Sequence, residues 1–188
     1  IKLTDTIKDG IKDTFKRLHK QGVSSIGILS GDSEAAVSKT AASVGADYYK
    51  AGLLPDDKQI MIKDQKLSGK IVAFVGDGVN DGPALATSDI GIAMGNLGTD
   101  IAIESARVVI AGDDLEKISE GIDISNKVKH VIIENVVFAF GVKLLVMTLG
   151  AFGIATLWAA VFADTGVTVI TILWTLYRLK IWQLKKKM

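Results

Sequence analysis

With 188 residues, a formal net charge of +1 and no cysteine, the chain has room for one medium domain. It can form neither a disulfide nor a thiolate metal site of its own, and no charge excess marks it for nucleic acid. The basic residues at its end, Lys185 to Lys187, are too few to make a nucleic-acid surface. Apolar residues are unevenly spread: charges and Gly punctuate short apolar runs from Ile1 to about Lys129, whereas charges almost vanish from Val131 to about Tyr177. The chain starts at Ile1 with no signal peptide ahead of its first amphipathic stretch, which reads as the interior of a longer protein.

Ile7, Ile11, Phe15 and Leu18 recur at helical spacing and predict a first helix ending near Gly22. A short buried strand follows at Ser25 to Leu29, then a helix over Ser33 to Val44, an extended piece at Asp47 to Tyr49 and a helix after Pro55. Ile71 to Val75 is the clearest strand. After it come a helix over about Asn80 to Ala86, a strand at Ile90 to Ala93, a helix around Asp100 to Ser105 and a strand at Arg107 to Ile110. Strands alternating with helices predict an α/β fold with a parallel, doubly wound sheet, in which ligands gather at the carboxyl ends of the strands.

Two such ends are polar and Gly-rich: Ser30-Gly31-Asp32, and the run from Gly76 through Asp77, Asn80 and Asp81 to Pro83. Gly permits a tight turn or a close ligand while hydroxyl and carboxylate groups project over the sheet edge, a combination suited to phosphate and Mg²⁺. A hard divalent cation takes one or two carboxylates plus phosphate oxygens, a demand Asp77 meets with Asp81 nearby. Lys58, in the turn opened by Pro55, supplies a cation for phosphoryl charge.

Asp114 to Lys129 predicts a helix that nothing breaks before the apolar run begins. Val131 to Gly150 then provides about twenty residues, enough at ~1.5 Å each to cross a hydrocarbon core of roughly 30 Å. A Gly-containing link at Gly150 to Gly153 leads to a second span, Leu157 to about Tyr177, so that the two form a transmembrane hairpin in the lipid bilayer. Lys127, Lys129 and His130 precede the first span, and Arg178, Lys180 and Lys185 to Lys187 follow the second. The positive-inside rule therefore puts both ends in the cytoplasm, with Trp158 and Trp182 near the interfaces.

Charges inside a span are costly and mark function. Lys143 lies roughly 18 Å into the first span and Asp164 roughly 10 Å into the second from the opposite side, depths that nearly coincide in an antiparallel pair. This spacing predicts a lysine–aspartate contact: read as structure it is an ion pair between helices, and read as function Asp164 is an oxygen ligand for a divalent cation with Lys143 as its counter-charge when the site is empty. Asn135 reads as an interhelical hydrogen bond and Glu134 as an interfacial charge.

Taken together and in this order, Ser30-Gly31-Asp32, Pro55-x-x-Lys58 and Gly76-Asp-Gly-Val-Asn-Asp-Gly-Pro-Ala-Leu85 resemble the haloacid-dehalogenase-like phosphorylation domain of P-type ATPases. The resemblance implies that Ser30 holds the transferred phosphoryl group, Lys58 stabilises its charge and Asp77 is the Mg²⁺ ligand. It implies further that Asn80 and Asp81 complete the phosphate and metal surroundings and that Asp5 opens this half of the domain. Ser30 stands where the family usually has Thr, and Gly82 where Ala is common. The Asp-Lys-Thr-Gly-Thr segment carrying the phosphorylated Asp is absent from these 188 residues, so this chain alone is expected not to hydrolyse ATP.

Asn135, Lys143 and Asp164-Thr-Gly166 resemble the last two helices of the zinc-, cadmium- and lead-exporting branch of the heavy-metal P-type ATPases. That resemblance implies a C-terminal fragment working with the remainder of a pump chain, Zn²⁺, Cd²⁺ or Pb²⁺ as transported ion, and a multi-pass protein of the plasma membrane. The expected organisation is phosphorylation domain over 1–113, connecting helix over 114–130, and membrane helices with a basic tail over 131–188. A membrane-anchored phosphatase of the same superfamily would need a nucleophilic Asp before Ser30, where only Asp5, Asp9 and Asp13 occur, on or near a helix. A non-catalytic regulatory fragment that packs on a complete pump is the other alternative.

Overall fold

Ile11, Phe15 and Leu18 share one face of the first helix, α1 (Ile11–Lys20), which buries Leu18 together with Thr14. The computed structural model describes residues 8, 10–77, 80–95 and 105–187 of the chain; Asp5, Asp9, Gly78, Val79 and nearly all of the helix expected around Asp100 to Ser105 lie outside them. After α1 the chain alternates: β1 (Gly27–Leu29), α2 (Glu34–Val44), β2 (Tyr48–Lys50), α3 (Pro55–Leu67), β3 (Ala73–Gly76), α4 (Gly82–Thr87), β4 (Ile90–Gly95) and β5 (Val108–Ala111). Pro55 at the first turn of α3 gives up no needed N–H, and the Asp57 carboxylate accepts the Leu54 N–H at 2.9 Å, so this helix starts where its sequence dictates.

All strand pairs are parallel, as the alternation predicts, but the described strands form two ladders where a single sheet was expected. β1 pairs with β2, with Gly27 opposite Tyr48; the other ladder has the order β3-β4-β5, with Ala73 opposite Ile90 and Ile92 opposite Val108. Each pairing joins strands consecutive in the chain, and among the described residues no backbone ladder joins β1 to β3. Helical crossovers make the strands parallel without deciding which strands lie side by side.

The core beneath the larger ladder centres on Leu85 of α4 and Ala93 of β4, against which Phe74 and Ala106 pack. α4 lies so close on β4 that a Cβ at Gly91 would sit 2.5 Å from the Leu85 carbonyl oxygen.

Beyond β5 a single helix, α5 (Glu116–Ala151), runs without interruption for 36 residues. The Gly153 turn, at φ 74°, ends it, and Thr156 caps the next helix by accepting the Ala159 N–H. The second span is not one regular helix: α6 (Leu157–Val161) passes into a π-helical turn, Phe162–Gly166, before α7 (Val167–Lys187). The Thr168 hydroxyl donates to the Asp164 carbonyl at 2.8 Å, and the Phe162 ring lies where a Cβ on Gly166 would be, 2.7 Å from ring carbon. A hydroxyl that bonds back to the preceding turn and a residue without a side chain both ease the wider turn. Glu116–Ala151 and Leu157–Lys180 are long and apolar enough to cross a membrane. The chain divides into two units, Ile1–Ile122 and Asp123–Met188.

Candidate functional site

In the first unit, the chain leaving β1 is laid alongside the chain leaving β2. The Ser30 N–H donates to the Lys50 carbonyl, the Leu53 N–H to the Ser30 carbonyl, and the Gly52 N–H to the Asp32 carbonyl, at 2.9–3.0 Å. Within this loop the Ser30 hydroxyl donates to Asp32 Oδ2 at 2.9 Å and accepts the Asp32 N–H at 3.2 Å. A Cβ on Gly31 would stand 3.1 Å from the Leu53 carbonyl oxygen, tight enough that the loop would have to shift by a few tenths of an ångström. The hydroxyl is thus held at the strand end by a neighbour two residues on.

At the end of β3, Asp81 begins α4 and folds its carboxylate over Gly76, where an added Cβ would stand 2.6 Å from Oδ2. Lys58 reaches across from α3 and places Nζ 2.8 Å from Asp81 Oδ1. Both side chains are mostly shielded, 16% and 14% exposed, which makes this the most protected ion pair among the described residues. Gln59 and Lys66, on the same helix, bind Thr87 at the other end of α4, at 2.9 and 2.8 Å, and fix α3 along α4. Lys66 also meets Asp89 at 3.1 Å, and Asp89 accepts the Val72 N–H at 2.9 Å. These contacts hold the Asp89 carboxyl below its usual range, the Val72 N–H first and the Lys66 bond second.

Asp77 and Asn80 are exposed at the β3 end. The structure therefore joins Lys58 to Asp81 and Ser30 to Asp32; among the described residues no hydrogen bond or ion pair links these two pairs. The residues fit a magnesium ion, because Asp77 and Asp81 put two carboxylates at one strand end, the number such an ion takes with phosphate.

In the second unit, Lys143 Nζ of α5 lies 3.2 Å from Asp164 Oδ1, the contact that the matching depths predict. The carboxylate projects from the π turn, and the pair lines a cavity of about 330 Å³ with Val146, Met147, Ala160, Val161 and Ala163. Asn135 donates to the Thr175 hydroxyl at 2.7 Å, the interhelical bond its type suggested.

Sequence reasoning missed the partner of Glu134. Arg178 Nη2 donates to both its carboxylate oxygens at 2.7 Å, and the guanidinium lies 5.5 Å from the Trp174 ring centroid. The signal was available: an acid near the start of one span and a base near the end of an antiparallel one.

Parallel α/β ladders with Ser30-Gly31-Asp32 after β1 and Asp77 after β3 have a haloacid-dehalogenase-like fold, and the haloacid dehalogenase-like hydrolase family matches residues 1–89. A solved phosphatase for 3-deoxy-D-manno-octulosonate 8-phosphate shares that fold, at a TM-score of 0.53 and 20% identity over 63% of this chain and 71% of its own. Closer likenesses follow the membrane helices as well. The zinc-transporting ATPase of Synechocystis is 44% identical over 176 residues, which are 92% of this chain and 24% of that protein. The cadmium, zinc and cobalt-transporting ATPase of Bacillus subtilis is 41% identical over 174 residues, 90% of this chain and 25% of that protein. A crystal structure of a zinc-transporting PIB-type ATPase in its E2.Pi state superposes with a TM-score of 0.81 at 35% identity, covering 89% of this chain and 27% of the other. Over about nine-tenths of its length the chain is similar to zinc- and cadmium-transporting ATPases and to a solved PIB-type ATPase. It spans about a quarter of the length of these curated relatives.

Proposed function

We propose that the chain supplies the phosphate-binding half of the phosphorylation domain and part of the membrane metal site of an ATP-driven pump exporting Zn²⁺, Cd²⁺ or Pb²⁺. In this reading residues 1–113 belong to the phosphorylation domain, 114–130 connect it to the membrane, and 131–188 are membrane helices and tail with both ends cytoplasmic, in the plasma membrane. The observation that carries the metal assignment is the Lys143–Asp164 contact at 3.2 Å between two helices long and apolar enough to span. A carboxylate is a hard ligand that favours divalent ions, and an ammonium at its side repays part of its desolvation while no ion is bound. The relatives named for zinc and cadmium transport support the same substrate class.

In the phosphorylation domain, Ser30 donates a hydrogen bond to the transferred phosphoryl group, which requires its hydroxyl to turn from Asp32. Lys58 faces the same charge, held in place by Asp81. Asp77 and Asp81 would hold magnesium, with Asn80 and Gly31 lining the phosphate and Asp5 opening the segment. A magnesium ion held there would supply positive charge to the phosphoryl oxygens. The phosphorylated Asp comes from the rest of the pump, and so do the remaining metal ligands.

The test is ATP-dependent uptake of Zn²⁺ and Cd²⁺ into inverted vesicles by a full-length pump carrying this segment and by its Asp164→Ala variant. Uptake by the parent and its loss in the variant are expected. Uptake that survives in the variant removes Asp164 from the metal site, and a parent that moves neither ion rejects the substrate class.

A further inference from the structure

Four side-chain contacts tie α5 to the second apolar segment. Along α5 they involve residues 127, 134, 135 and 143, and their partners fall in step, 182, 178, 175 and 164. This is the order of an antiparallel pair in one fixed register. Apolar packing does little to set that register: in the second unit only Ala163 and Val167 are buried among the described residues. Lipid tails are as apolar as the helix surfaces, so no hydrophobic drive aligns one helix against the other, and directional polar contacts decide.

The register matters most to Lys143 and Asp164. Lys143 follows Asn135 by about 12 Å of helix, whereas Asp164 precedes Thr175 by about 16 Å at α-helical rise. The offset is spanned by the lysine side chain, whose Nζ ends 3.2 Å from the carboxylate. A slip of about one turn that puts Val142 in the place of Ala139 lengthens the offset to about 10 Å and parts the two charges.

The contact best suited to prevent that slip is Glu134–Arg178. It is charge-assisted, it engages both carboxylate oxygens at 2.7 Å, and the Trp174 ring lies under the guanidinium. His130 adds a further cation 4.0 Å from the same carboxylate when protonated. We propose that Glu134 and Arg178 are positioning residues: their ion pair sets the register of α5 against α7 and so brings Lys143 to Asp164. The service to a metal site rests on the function proposed above, while the setting of the register does not.

The chain contains no cysteine, so introduced thiols report on themselves alone. Ala139 and Thr171 each lie one turn from the Asn135–Thr175 pair, so Ala139→Cys with Thr171→Cys reports the observed register. Val142→Cys with Thr171→Cys reports a one-turn slip. Both pairs are oxidised in the 188-residue chain reconstituted in phosphatidylcholine–phosphatidylglycerol nanodiscs without metal. In-register cross-linking should dominate in the parent. Glu134→Ala should lower its rate relative to the slipped pair by about fivefold, the factor that ~1 kcal/mol carries. Glu134→Gln should act in the same direction, and Glu134→Arg with Arg178→Glu should restore the parent ratio. An unchanged ratio in both single variants, or no restoration in the exchanged pair, overturns the proposal.

In the full-length pump, Glu134→Ala should raise the Zn²⁺ concentration for half-maximal ATPase more than it lowers the maximal rate. A shifted cross-link ratio with an unchanged Zn²⁺ requirement overturns the link to the metal site. Since cross-linking is read without metal, its outcome is separate from that of the uptake test.

Discussion

Lys58 Nζ stands 2.8 Å from Asp81 Oδ1 in a position where neither side chain is more than 16% exposed. The pair joins the start of α3 to the start of α4 and keeps the lysine pointed at the end of β3. Removing one partner leaves the other shielded and uncompensated, which costs more than the pair is worth as a whole. Lys58→Met is therefore expected to destabilise the first unit by ~2 kcal/mol, and the double variant with Asp81→Asn by less than the sum of the two single changes. Hydrogen exchange of the β3–α4 amides measures this; additive losses would show that the two charges act independently.

Gly91 and Gly121 offer a matched contrast. At Gly91 an added methyl meets the Leu85 carbonyl oxygen at 2.5 Å, and backbone has to move, whereas at Gly121, inside α5, nothing lies within 4 Å. Gly91→Ala is expected to cost about 1–3 kcal/mol through overpacking. Gly121→Ala should be stabilising by up to ~1 kcal/mol through helix propensity alone. Thermal unfolding of the chain in detergent, followed by exchange in β4 and in α5, separates the two; equal effects would contradict the close approach of α4 to β4.

The parallel α/β alternation was legible because apolar runs such as Ile90 to Ala93 are bounded by Gly, Asp and Pro, and the second unit because uncharged runs of spanning length have few other uses. The Lys143–Asp164 contact was legible from depth alone, since two helices of equal rise bring equal depths together. The two-ladder arrangement was not, because alternation shows that strands are parallel without showing which strands are neighbours. Nor was the π turn at Phe162–Gly166, since an apolar run has the same composition whichever carbonyl each N–H selects; only Gly166 and Thr168 hinted at it. The Glu134–Arg178 pair escaped because each charge, taken singly near a span end, is explained by the interface.

Asp89 makes a pH prediction with a definite sign. Its carboxyl is held below the ordinary value by the Val72 N–H and by Lys66, so the folded form binds its proton less readily than the unfolded form. The stabilisation is thus present above the unfolded carboxyl range, about pH 4, and is lost as pH falls through the lower folded value. Protonation should free the Val72 amide at the entry to β3 and loosen Lys66, with exchange there rising on acidification below about pH 4. Asp89→Asn should remove that acid-dependent step while leaving exchange in β1 and β2 unchanged. Persistence of the step in the variant would assign it to another carboxylate.

Ser30 brings the last prediction, because its hydroxyl is committed to Asp32 by two hydrogen bonds, donating at 2.9 Å and accepting at 3.2 Å. To serve a phosphoryl group it needs only to rotate, since hydroxyl rotors exchange partners without moving the backbone. Thr keeps that hydroxyl and adds a methyl; Ala removes the donor and also leaves the Asp32 N–H without its acceptor. In a full-length pump, phosphoenzyme formed from ATP should remain near parent levels in Ser30→Thr and fall by about tenfold or more in Ser30→Ala, the factor carried by one charge-assisted hydrogen bond of ~1.5 kcal/mol. Asp32→Asn discriminates between positioning and chemistry: its amide can still accept from Ser30, so a mild loss there beside a large one in Ser30→Ala assigns the hydroxyl to the phosphate. Equal large losses in both would mean that the loop conformation, rather than the hydroxyl itself, is what the phosphoryl group requires.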